Sequence, residues 1–427
     1  MGKSPTNPQY PNGWHMNDRM PHHDSFEQLW ETKWKDPCSK AIYPFMFGSI
    51  EDFQPIAEHL IAKGLKEPYD WDEYASCFFA TAEKLGHTAA VAQQEGDTDK
   101  ARDCYLRASA VYRIARFPAP RSPLQLQAWS KGKEMFYAGA KLMEYPIREA
   151  LIPHTHALAN SSEQDSFIPV NLLIPPSASS SSSCPLVIIM TGLDGYRTEL
   201  AVWQRGFLDK GVATLVVEIP GTGDSPALAS DPQSADRQWS SVLDWVAKKE
   251  RIDSTKMIVW GFSTGGYYAL RAAHTHHDRL LGSVSLGGGC HHMFDEEWLD
   301  KVNNLEYPFD LADTLAFKFG YGKDQEGVDK FMKEGQSKFS LLLDGTLKRE
   351  ECCRCLVVNG EWDRIFPVED LALAMKWGKP KEVRIVRERW HMGEPESFVV
   401  ILRWIHELLG LDGDYMHQLK LLGAKAK

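Results

Sequence analysis

The sequence predicts an α/β fold: a mostly parallel β-sheet with flanking helices, preceded by a helical N-terminal domain and carrying a helical insertion. Three observations support it. The apolar spacing is helical from Ser49 to about Leu142, and after Pro146 it changes to short aliphatic runs alternating with helical stretches. One of those runs ends in a glycine-flanked serine that opens a helix. The 427-residue length suits two units, expected at 1–145 and 146–427, with the insertion at about 290–350.

In the first unit, Ser49 and Asp52 read as a capping box before a helix carrying Phe53, Ile56, Leu60 and Ile61, and Gly64 is a natural stop. Residues 74–95 and 98–115 follow as an antiparallel helix pair separated by Gly96-Asp97. Tyr105, Ala108, Tyr112 and Ala115 form one buried face. The pair is similar to a tetratricopeptide hairpin, but no recurrence at roughly 34 residues supports a solenoid. In the second unit the expected strands are 147–152, 170–174, 186–190, 214–218, 257–260, 282–286, 356–359 and 382–386. The Ser179 to Ser183 run reads as a flexible surface hairpin loop. The aromatic, helical stretch after Leu286 occupies a position where this kind of sheet often carries a lid.

Composition excludes several classes. With 43% hydrophobic and 25% charged residues the chain is ordinary globular material. A net charge of −10 without a basic run argues against nucleic acid as a partner. No apolar stretch approaches the roughly 20 residues of a transmembrane segment, and Met1 to His23 is polar and Pro-rich, unlike a signal peptide. The expected compartment is intracellular, cytoplasmic by default. Most of the eight cysteines read as free thiols, and the group Cys352, Cys353 and Cys355 lacks the second ligand pair of a metal site. Neither a cofactor nor a metal is expected. The 14 Trp and 14 Tyr are enough to fill a core and still line an aromatic pocket.

The chemistry centres on Gly261-Phe262-Ser263-Thr264-Gly265, a G-x-S-x-G sequence between the strand 257–260 and a helix with Tyr267, Ala269, Leu270 and Ala273. That context makes it a nucleophile elbow of the α/β-hydrolase fold, where glycines let a serine sit on a tight, strained turn. Serine needs a base, and the base needs an orienting acid. In this fold the acid follows a later strand and the histidine comes last. Asp363, after the run Leu356 to Gly360 and before Pro367, is favoured as the acid over Glu361. His391, after the last strand, is the base. The oxyanion donors are expected to be the Thr264 N–H and the Leu193 N–H, with Asp194 as the alternative to Leu193.

Tyr196 and the pair His291-His292 are candidate substrate contacts. For the histidines a packing or surface role is the competing reading, and a metal there lacks carboxylate partners at helical spacing. Glu218 to Ser225 is rich in glycine but has no Walker lysine or dinucleotide spacing, so it reads as a structural turn.

With these residues in place the chain resembles the fungal yellowish-green family of pigment hydrolases, named for the colour of mutants in melanin formation. The likeness is carried by Trp30-Glu31-Thr32-Lys33-Trp34-Lys35, Gly48-Ser49-Ile50-Glu51-Asp52-Phe53, Val111 to Pro118, Met190 to Arg197 and Arg271 to His276. Phe262 and Thr264 depart from the Leu and Ala frequent there. The resemblance implies a polyketide-shortening hydrolase that cleaves a carbon–carbon bond of a heptaketide naphthopyrone to give tetrahydroxynaphthalene. It implies a small aromatic polyketide as partner, and related helical-domain hydrolases lead us to expect a homodimer. A carboxylesterase or lactonase acting on an aromatic or polyketide ester is the nearest alternative. A ligand-binding protein on a retired hydrolase fold is the more distant one.

Overall fold

The computed structural model describes residues 19–416, so residues 1–18 of the N-terminal stretch read as lacking a signal peptide lie outside the described part. After a 3-10 turn at Pro21–His23 come the helical turns α1 (Phe26–Leu29) and α2 (Lys35–Lys40), joined through a π-helical turn, Trp30–Trp34. Four longer helices follow: α3 (Ile50–Ala62), α4 (Trp71–Gln94), α5 (Thr98–Arg116) and α6 (Pro123–Ala140). Helices α4 and α5 form the expected antiparallel pair, and Tyr74 donates across it to the Ile114 carbonyl at 2.9 Å.

The expected capping box is absent. Ser49 does precede α3, but its side chain caps nothing. The Asp52 carboxylate instead takes two hydrogen bonds from Arg107 of α5, at 2.6 and 2.8 Å. A charge-assisted pair to a neighbouring helix outweighs a neutral cap.

The rest of the chain builds one eight-stranded sheet: β1 (Arg148–Pro153), β2 (Phe167–Leu173), β3 (Cys184–Met190), β4 (Ala213–Val217), β5 (Ile252–Phe262), β6 (Gly282–Leu286), β7 (Glu351–Gly360) and β8 (Lys379–Val386). Its order is β1-β2-β4-β3-β5-β6-β7-β8, antiparallel at β1–β2 and β2–β4 and parallel elsewhere. All eight expected strands are present; β6 has the expected bounds, β1 and β4 are shifted by one residue, and the other five are longer. Because β4 lies between β2 and β3, the serine-rich loop is not a hairpin; it carries the chain past β4 along the surface.

Period-two alternation assigns the side chains to two layers. Val187, Ile189, Val216, Ile258 and Trp260 point to the side covered by α8 (Val202–Leu208), which follows α7 (Arg197–Leu200), and by the terminal α15 (Glu396–Leu409). Leu186, Ile188, Leu215 and Val259 face α9 (Ser234–Ala247) and α10 (Thr264–Thr275). That second apolar layer continues without a break into the N-terminal helices and the insertion.

The insertion holds α11 (Glu296–Val302), α12 (Leu311–Lys318) and α13 (Gln325–Phe339), and the short α14 (Glu369–Ala374) follows β7. Phe319 stacks on Phe331 at 5.5 Å, and Tyr267 of α10 donates to the Phe339 carbonyl at 2.7 Å. Phe309 enters an aromatic cage of Trp34, Tyr69, Trp71 and Tyr74, which ties the insertion to the first helices. No helix among the described residues is long and apolar enough to cross a membrane.

Candidate active site

Ser263 lies between β5 and α10 at φ +53° and ψ −120°, a backbone strained for any residue but glycine. The flanking glycines make the turn possible. A Cβ on Gly261 would collide with the Gly265 carbonyl, and one on Gly265 with the carbonyls of Thr191 and Met190. The parallel sheet brings the ends of β3, β5, β6 and β7 to one edge, so everything that follows those strands meets there.

The Ser263 Oγ is 2.8 Å from Nε2 of His391, and Nδ1 of His391 is 2.8 Å from Oδ2 of Asp363. A carboxylate has no proton to give, so Nδ1 carries the hydrogen and Nε2 accepts from the serine. Asp363 is fixed by backbone donors: Oδ1 accepts from Ile365 at 2.7 Å and Phe366 at 3.1 Å. The Asn359 amide donates to Oδ2, and its own oxygen accepts from the Gly360 and Met392 N–H groups, each at 2.9 Å. Burial opposes the charged imidazole, yet the charge and hydrogen bond of Asp363, with the Glu306 charge, leave His391 above the ordinary histidine value.

Glu306, from the insertion, was not anticipated. Its buried carboxylate accepts from the Arg364 N–H at 3.0 Å and the His391 N–H at 3.1 Å, so it bridges the loops bearing the acid and the base. Burial raises its pKa, and the nearby Lys33 ammonium opposes that rise. Lys33 donates to the Glu306 carbonyl. The first described residues hold the same strip of chain: Met20 N–H to the Asn304 carbonyl at 2.9 Å, and His22 and His23 Nε2 to the Tyr307 and Leu305 carbonyls at 2.9 and 2.8 Å.

On the other side of Ser263 lies the turn after β3. Here Gly192 comes so close to the elbow that a Cβ on it would sit 3.1 Å from the Phe262 carbonyl and 3.5 Å from the Ser263 Cβ. Leu193, Asp194 and Thr264 all line the cavity beside Ser263. The Asp194 carboxylate accepts from the hydroxyls of Tyr43 at 2.5 Å and Tyr307 at 2.8 Å, and its carbonyl from Arg116 at 2.6 Å. Burial raises the Asp194 carboxyl, and the two phenol hydrogen bonds act against that rise. Arg116 and Arg113 also pair with the buried Glu199.

The cavity measures about 690 Å³ and is largely apolar. Its cover comes less from the insertion, which supplies Tyr307, Pro308 and Leu311, than from the N-terminal segment, which supplies Lys33, Trp34, Ile42, Tyr43 and Met46. Trp203, Phe398 and Glu394 line it from α8 and from the chain end around α15.

Three expected substrate contacts do not reach the cavity. Tyr196 is buried under the Arg116 guanidinium, 3.8 Å from its ring centre, and packs on the edge of Trp129. His291 bonds Ser340 at 2.7 Å and His292 bonds Asp295 at 2.8 Å. Their N–H groups, with those of Cys290 and Met293, enclose the Asp370 carboxylate. Asp295 is the carboxylate neighbour that the sequence reading found lacking, with ligand atoms of the three residues within 4.8 Å, but these groups are already paired with one another and with Ser340. Lys33, Tyr43 and Tyr307 escaped sequence reasoning because nothing local marks them. Asn359 stood in the recognised strand run but had no assigned role.

A family model described as Esterase FrsA-like matches residues 79–408. Esterase FrsA of Yersinia pestis (strain Pestoides F) and that of Yersinia pseudotuberculosis serotype O:1b (strain IP 31758) are each 25% identical over 289 residues. That match takes in 66% of this chain and 64% of theirs, so the chain spans less than two thirds of the length of these relatives. The structure of 2,6-dihydroxy-pseudo-oxynicotine hydrolase is similar with a TM-score of 0.63 and 18% identity, covering 85% of this chain and 93% of that one. AbyA5 follows at 0.60 and 22%, covering 80% and 92%. At those identities the likeness is one of fold, and that fold is the α/β-hydrolase fold.

Proposed function

The chain belongs to the FrsA-like esterase family, and from that premise we propose that it is a serine hydrolase with Ser263 as nucleophile, His391 as general base and Asp363 as orienting acid. The observation that carries the reading is the continuous relay of two 2.8 Å contacts from Ser263 through His391 to Asp363. Ser263 adds to a carbonyl carbon as its proton passes to Nε2 of His391. The oxyanion is received by the Thr264 N–H and by the Leu193 or Asp194 N–H of the neighbouring turn. His391 then protonates the leaving group, leaving an acyl group on Ser263, and water activated by His391 releases it as a carboxylic acid.

The finer reading is carbon–carbon cleavage of a heptaketide naphthopyrone to tetrahydroxynaphthalene in melanin formation, which rests on the resemblance to the yellowish-green hydrolases. Here the carbonyl is a ketone and the leaving group a carbanion, made tolerable by delocalisation into a polyhydroxylated ring before His391 protonates it. The roomy, apolar, ring-lined cavity supports an aromatic polyketide. Ester or lactone hydrolysis is the second reading, favoured by the family match. Incubation with candidate polyketides and mass analysis of the products tests both. Gain of water with loss of an acetoacetate-sized acid supports carbon–carbon cleavage, whereas an alcohol with an intact skeleton supports an esterase. Failure of an activated phosphonate to label Ser263 overturns the serine mechanism itself.

The proposal also includes a helical unit at 1–145 and a catalytic unit at 146–427, a cytoplasmic setting, and a homodimer that sedimentation would detect.

A further inference from the structure

The charged groups around the cavity are nearly all committed to protein partners. Lys33 donates to the Glu306 carbonyl, Asp194 is held by two tyrosines, His391 by Asp363 and Ser263, and Glu396 by Arg389 at 2.6 and 2.7 Å. Glu394 is different. It lines the cavity three residues beyond His391, and among the described residues its carboxyl meets no donor. The same cavity is lined by the apolar or aromatic Trp203, Met392, Phe398 and Val399, with His391 and Glu396 as the charged groups nearest in sequence. Its side chain is open to the cavity space, yet the protein around it disfavours the anion and pushes the carboxyl up to about 7, with the His391 charge opposing that shift.

Water reaches this exposed carboxylate while the cavity is open, but a ligand that displaces the water without supplying a donor leaves it unpaired against an apolar wall. From this geometry we infer that Glu394 is a substrate-recognition residue that accepts a hydrogen bond from a hydroxyl on an otherwise apolar aromatic ligand. The ring lies in the cavity against Trp203 and Phe398, which already touch each other edge-on at 4.6 Å, and the hydroxyl is the handle that sets its orientation relative to Ser263. A ligand of the same shape lacking that donor leaves the carboxylate desolvated and unpaired, so the site discriminates on one hydrogen atom. The inference deepens the serine-hydrolase reading by naming a feature of its substrate class, and it rests on that reading for the identity of the cavity.

Binding separates the two claims because it needs no turnover. Calorimetry of the full chain with 1-naphthol and with 1-methoxynaphthalene compares ligands that differ by one donor. The intact protein is expected to bind the naphthol about tenfold more tightly. Glu394→Leu is expected to bring the two probes within about twofold of each other, and Glu394→Gln, which keeps an acceptor oxygen, to retain part of the preference. Equal binding of the two probes by the intact protein, no binding of either, or a preference that survives in Glu394→Leu overturns the inference and identifies Glu394 as a solvated carboxylate only. Unchanged thermal melting and an unchanged far-ultraviolet circular dichroism spectrum of the variants exclude misfolding as the cause of a lost preference. Loss of labelling in the intact protein counts against the serine mechanism and leaves the calorimetric result standing.

Discussion

The two sides of Ser263 are held in different ways. On the acid–base side most of the support is short-range: Asn359, Gly360, Ile365, Phe366 and Met392 arrange Asp363 and His391 through backbone and amide hydrogen bonds, with Glu306 as the one distant contributor. On the oxyanion side the turn after β3 is fastened by groups far away in sequence, namely Tyr43, Arg116 and Tyr307. The proposed base and acid are therefore built into the sheet edge, whereas the geometry of the proposed oxyanion turn depends on how the helical region and the insertion seat upon it. Changes in the helices are expected to act on the transition state through that turn.

The largest expected effect is on the first side. Ser263→Ala lowers kcat by about 10⁴-fold or more, measured on whichever substrate the product analysis identifies, because no member of such a relay substitutes for another. A residual rate near that of the intact protein would remove the distinction at its root.

Next comes the second side. Arg116→Met leaves Glu199 with Arg113 alone and frees the Asp194 carbonyl, and the fully buried site is expected to lose about 3–5 kcal/mol of stability, read by denaturant unfolding. A loss of under about 1 kcal/mol would mean that the long-range fastening is dispensable.

Glu306→Gln tests the exception on the acid–base side. A neutral amide cannot accept from both loop N–H groups in the same way, so kcat/KM is expected to fall about tenfold. The pH profile carries the sharper signature. In the proposed mechanism activity requires neutral His391, and Glu306 stabilises its charged form, so the intact protein should lose activity on acidification at a pH above the ordinary histidine value of 6.5. Removing the Glu306 charge lowers that midpoint. A fall in rate with an unmoved acid limb would make Glu306 a packing residue only.

The smallest effects belong to Tyr43→Phe and Tyr307→Phe, each expected to cost severalfold in kcat with little change in KM, since each removes one hydrogen bond from Asp194. The double variant should depart from additivity, because both phenols hold one carboxylate.

Legibility in the sequence follows the same division. Ser263, Asp363 and His391 stand directly after strands whose aliphatic runs are unmistakable, so their order along the chain was enough to nominate them. The eight strands were legible for the same reason. Tyr196 lies outside the cavity lining because Arg116, from the N-terminal helices, packs over its ring, and a cation over a ring leaves no local trace in the sequence. His291 and His292 follow a strand near the elbow, but Ser340, Asp295 and Asp370 draw them away from the cavity. The capping box failed when Arg107, on another helix, claimed Asp52. The sequence pointed to the insertion as a lid but not to which helical residues cover the cavity. The larger contributor to that cover, the π-helical turn and the segment up to Met46, lies before the first helix that the spacing revealed.

The grip of Met20, His22 and His23 on residues 304–307 has a consequence for the order of assembly. His22 meets the Tyr307 carbonyl across a separation of 285 residues. At roughly 5–20 residues per second of synthesis, that partner emerges from the ribosome many seconds after the segment that holds it. Until then the aromatic side chains of the first helices have no Phe309 to enclose. Residues 20–23 are thus an early-made clasp for a late-made part of the chain.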